Sequence, residues 1–117
     1  MIKIERPLDG KNVVVQVTAV ISADLSMEPI YRVTEAKGIK IDGILWLVQE
    51  KMGLLLWWGK DDFLLPLESR GANTFSGGIH KRIDDTWDGQ IFISTFGFKS
   101  NDLKPKHFFL SLDMDRI

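Results

Sequence analysis

Leu54-Leu55-Leu56-Trp57-Trp58, five large apolar side chains set between Gly53 and Gly59, is the stretch that decides the fold. Side chains on a strand point alternately to opposite faces, so Leu54, Leu56 and Trp58 face one way and Leu55 and Trp57 the other. Both faces of such a strand ask to be covered. Its neighbours repeat the problem. Before it, Ile44, Trp46 and Val48 oppose Leu45 and Leu47; after it, Phe63, Leu65 and Leu67 oppose Leu64 and Pro66. Tight turns at Lys51-Met52-Gly53 and at 59–62 would join the three into a central meander near 39–68 that is apolar on both sides. A sheet with one wet face would instead alternate apolar with polar residues.

Working outward, strand period dominates. Val13, Val15, Val17, Ala19 and Ile21 alternate as one long half-buried strand. Residues 22–29 break the pattern, and Pro29 limits any helical turn there. Strands are expected at 2–5, at 30–36 and at 39–50, the last bent at Gly43. Further strands are expected at 63–68, where Pro66 calls for an edge or a bulge, and at 79–83, 90–98 and 107–114. Phe92, Phe96 and Phe98 read as core, as do Phe108, Leu110, Leu112 and Met114. Loops are expected at 69–78, 84–89 and 99–106. No segment carries ten residues of helical period. The expected fold is all-β: one domain over residues 1–117, a compact antiparallel β-sandwich or flattened barrel of about eight strands.

Composition bounds the function. The chain has 117 residues, 44% apolar and 26% charged, with net charge −1 and no cysteine. Charge is balanced in both halves, and without a basic stripe neither nucleic acid nor an anionic membrane is an expected partner. Lys3, Glu5 and Arg6 interrupt any signal-like apolar run, and the longest apolar runs are too short to span a bilayer as a helix. The absence of cysteine fits a reducing compartment, so a cytoplasmic location is expected.

Three motifs invite chemistry. Asp84-Asp85-Thr86-Trp87-Asp88-Gly89 spaces oxygen donors as an EF-hand loop does, but its twelfth position is Thr95 instead of Glu and no helix flanks it. It reads as an acidic turn, with no metal expected. His80 and His107 lack any metal-ligand spacing, and no nucleophile motif occurs. Catalytic residues and cofactors are therefore not expected. The glycine-rich 69–78 segment, with Arg70, Asn73, Phe75 and then His80, is long enough for a functional loop. Trp87, in a polar loop, is either a plug or an exposed contact residue.

What covers the second face of the meander is the functional question. The 69–88 loops folding back, a second copy of the chain, or a bound partner would each suffice. The expected function is a non-catalytic interaction domain that binds a protein partner or itself through the apolar aromatic face and the 69–88 loops, with Trp57, Trp87, Arg70, Asn73, Phe75 and His80 in contact. The alternative is a module for a sugar or an apolar small ligand, with its pocket near Trp87 and the glycine-rich segment.

Overall fold

A computed structural model describes residues 1–99 and 101–117; the expected 99–106 loop therefore includes one position, 100, outside the described residues. The described residues form an all-β sandwich of ten strands. They are β1 (Ile2–Glu5), β2 (Leu8–Asp9), β3 (Asn12–Ile21), β4 (Glu28–Arg32), β5 (Gly38–Val48), β6 (Gly53–Trp57), β7 (Phe63–Glu68), β8 (Arg70–Arg82), β9 (Gln90–Phe96) and β10 (Lys106–Arg116). The larger sheet runs β1-β3-β10-β5-β8, with the two-residue β2 also on β3; the smaller runs β4-β9-β6-β7. Every pairing is antiparallel. Among the described residues, no helix is long and apolar enough to cross a membrane.

Alternation places the core. Val13, Val15, Val17, Ala19 and Ile21 of β3 and Phe108, Leu110, Leu112 and Met114 of β10 are all buried. Across from them lie Leu54 and Leu56 of β6, Leu67 of β7, and Ile91 and Ile93 of β9. Apolar side chains that meet between two sheets leave water on both sides of the layer, which is the dominant favourable term for a domain of this kind.

The expected meander holds only in its second half. β6 and β7 pair as a hairpin, Leu54 opposite Leu67, but β5 belongs to the other sheet, between β10 and β8. Residues 49–52 therefore cross from one layer to the other instead of turning within one. The doubly apolar segment thus supplies the inner faces of both sheets, and its remaining side chains fall on two opposite outer faces.

The 69–78 segment is also corrected. It is not a loop but the first part of β8, an edge strand of 13 residues that pairs along β5 from Arg70↔Leu47 to Arg82↔Gly38. Its glycines have packing reasons. A Cβ on Gly71 would lie 2.4 Å from the Trp46 ring, so the strand passes under the indole only as glycine. Gly77 and Gly78, at φ 76° and 75°, bend the strand, opposite the point where β5 shifts register between Ile41 and Gly43. The bend expected at Gly43 is that bulge. Pro29 and Pro66 both sit in edge strands, β4 and β7, where the missing N–H costs no interior ladder bond. In β9 the core-facing residues are Ile91, Ile93 and Thr95; Phe96 is exposed, and Phe92 is buried outside the cluster between the sheets. Those two phenylalanines are on the outer side, contrary to expectation.

Candidate functional site

The bulge at Gly43 resets the alternation of β5, so that Ile44 and Val48 turn inward and Leu45 and Leu47 outward. Leu45 is 50% and Leu47 56% exposed. Leu47 lies opposite Phe109 of β10 on one side and Arg70 of β8 on the other; Leu45 lies opposite Ser111 and Ala72. Beyond β10, Phe109 pairs with Thr18, and His107 with Val20, of β3. The result is a continuous apolar surface of Leu45, Leu47, Phe109 and Val20 with open depressions on both sides of Leu47.

The other end of the same face is polar. Lys40 Nζ lies 3.3 Å from Asp42 Oδ1 and 3.5 Å from Asp115 Oδ2. Asn12 Nδ2 donates to Asp113 Oδ1 at 2.7 Å, to the Met114 carbonyl at 3.0 Å and to Asp115 Oδ1 at 3.3 Å. Partial burial and the hydrogen bond to Asp115 push the Asp42 carboxyl up. Burial pushes Asp115 the same way, but hydrogen bonds from Asn12 and Asp42 together with the Lys40 charge outweigh it and hold Asp115 low. Of the two, Asp42 keeps its proton longer.

The outer face of the smaller sheet is aromatic and largely tied down. Trp57 Nε1 donates to Ser94 Oγ at 2.9 Å, and its ring meets Phe63 edge-on at 5.2 Å. Phe92, opposite Trp57 on β9, is buried. Phe63 and Phe96 remain 47% and 42% exposed. Leu64 packs against the core.

The candidate residues do not converge on one site. Trp57 is on the outer face of the smaller sheet. Arg70, Asn73, Phe75 and His80 lie along β8, Phe75 packing against the core and His80 Nε2 lying 2.8 Å from the Gly77 carbonyl oxygen. Trp87 is the plug of the two options: 3% exposed, its Nε1 donates to the Gln90 carbonyl at 2.8 Å, and its ring meets Trp58 edge-on at 5.3 Å. The acidic turn is built as a turn. Asp84 Oδ1 accepts from the Thr86 amide and hydroxyl at 2.8 and 2.7 Å and from the Trp87 amide at 3.1 Å. Asp88 accepts from the Gln90 amide and from Arg32. These bonds hold both carboxyls below the ordinary range; the Thr86 side chain dominates for Asp84 and the Gln90 amide for Asp88. Among the described residues, no group of three or more His, Asp or Glu side chains is placed to hold a metal ion.

Of the expected 69–88 cover, residues 70–82 are edge strand and lie over neither face, while residues 84–88, with Gly59 and Lys60, line one groove with the buried Phe92 of the smaller sheet's outer side. Phe109 and Val20 were missed as site residues, because joining them to Leu47 requires a register between strands some 60 residues apart. Comparison with known protein families, with curated proteins and with solved structures finds no match.

Proposed function

We propose that this chain is a non-catalytic interaction domain that docks a protein through the apolar half of the larger sheet's outer face. The observation that carries the reading is the pair Leu45 and Leu47, each at least half exposed and contiguous with Phe109. Soluble domains seldom keep contiguous apolar surface in water without a use for it. Burying about 300 Å² of such surface is worth roughly 7 kcal/mol gross, from which the cost of association must be subtracted. The balance suits reversible binding. The aromatic face of the smaller sheet offers less, because Trp57 and Phe92 already have partners within the chain.

The small-ligand alternative retains a polar groove beside Trp87, lined by Lys60, Asp85, Thr86, Asp88 and Gln90. A buried indole gives a sugar no face to stack on, so this groove supports the alternative weakly. A cysteine-free interaction domain suits the reducing cytoplasm.

A photo-reactive benzophenone side chain placed at Leu47 in the native cell tests the reading. It is expected to give a discrete protein adduct, whereas the same group at Pro66, on the opposite outer face, gives none. Absence of any adduct from position 47 overturns the proposal.

A further inference from the structure

The outer face of the larger sheet is complementary to itself, and we infer that its occupant is a second copy of this chain; the inference rests on the interaction reading above. The pairing registers set the outward side chains in rows across the strands. One row holds Lys3, Thr18, Phe109, Leu47 and Arg70; the next holds Glu5, Gln16, Ser111, Leu45 and Ala72. Outside the first lie Val20 and His107, with Gln49 hydrogen-bonded alongside. Outside the second lie Val14, Asp113 and Gly43.

Consider a two-fold axis in the plane of the face, running across the strands midway between the two central rows. Each row then meets the other row of the second copy, strand for strand. Leu45 meets Leu47, Ser111 meets Phe109, and Val14 meets Val20. Lys3 meets Glu5, and Asp113 meets His107. Lys3 and Glu5, ion-paired with each other at 2.9 Å within the chain, also face each other across the axis; Asp113 faces His107, Arg70 faces Ala72, and the Met1 ammonium, bonded to the Val20 carbonyl, lies at the rim. Apart from Ala72 at the edge, apolar groups meet apolar groups or the small Ser111. The carboxylates Asp42 and Asp115, with Lys40, fall beyond the overlap at the open ends.

The alternative axis, along the strands through β10, sets Asp113 against Asp113 and Asp115 against Asp115, and like charges in direct opposition are destabilising. The charge map rules out the axis through β10 and permits the one across the strands, which the charge-exchange experiment below tests. Two sheets stacked this way keep their strands nearly aligned, about 10 Å apart, as in a sandwich.

The area agrees. The sixteen positions of these rows, each about 4.8 by 6.8 Å, cover on the order of 520 Å² per copy. The total, roughly 1,050 Å², is the size of a weak, reversible interface. An isologous contact of this kind closes on itself and stops at two copies.

Sedimentation velocity of the full chain, from low micromolar to millimolar concentration, tests the inference. A reversible dimer is expected. Leu47→Asp and, separately, Leu45→Asp should each weaken it at least about tenfold; circular dichroism confirms that each variant is folded. His107→Asp and Asp113→Lys should each weaken self-association, and an equimolar mixture of the two should dimerise more tightly than either alone, because only the mixed pair restores opposite charges. A chain monomeric at millimolar concentration overturns the second copy as occupant, while a position-47 adduct with another protein would still uphold the interaction reading. A dimer untouched by both leucine substitutions overturns this face. A mixture no tighter than its components overturns the two-fold axis.

Discussion

The two outer faces of the sandwich differ in how their apolar side chains are held. On the smaller sheet, Trp57 hydrogen-bonds Ser94 and packs on Phe63, and Phe92 is buried beside it. On the larger, Leu45 and Leu47 are bare. An aromatic side chain with a polar tip can make its own cover by lying across a sheet, one end bonded and the ring packed. An aliphatic side chain has no such handle and stays in water until something else arrives. Apolar character alone therefore does not mark a docking surface; lack of an internal partner does.

The widest gap between the faces is expected in stability. Trp57→Ala should cost about 2 kcal/mol in chemical denaturation, through lost packing and the stranded Ser94 hydroxyl. Leu47→Ala, read at low micromolar protein, should change stability by less than about 0.5 kcal/mol. Equal costs would break the comparison. Ser94→Ala sharpens it by removing only the bond to the indole, with an expected loss of about 1 kcal/mol. The smallest effect is expected from acid. Asp84 and Asp88 anchor the loop that closes the end of the smaller sheet, and their folded pKa values lie below the ordinary 3.8. Their stabilisation is full above the unfolded value and is lost as pH falls through the lowered folded values. Emission from Trp87 should therefore begin to report a looser loop only below about pH 4, and Asp84→Asn should remove part of that dependence.

Much of the fold was legible because alternation reports burial directly. The run Val13–Ile21 and the set Phe108, Leu110, Leu112 and Met114 were readable as core-facing residues, and Pro66 as an edge residue. What failed was partnership. A greasy strand followed by a glycine turn and another greasy strand looks the same whether the two pair or cross between layers, because each buries its inner face either way. β8 was hidden for a different reason. An edge strand needs no apolar alternation, and Gly71 is small to admit Trp46, a contact visible only in three dimensions. In β9 both faces are bulky, so its phenylalanines and its isoleucines competed for the interior; Ile91 and Ile93 took it. The site was half visible. Leu45 and Leu47 announced a second face, but its completion by Phe109 depends on long-range register.

The crook at Gly77–Gly78 has a bearing on solubility. β8 is the last strand of its sheet and 13 residues long, long enough to template fibril growth if it were straight. Bent where it is, it presents only short unaligned pieces of ladder, so the two glycines that follow the bulge of β5 also make this rim a poor template for strand addition.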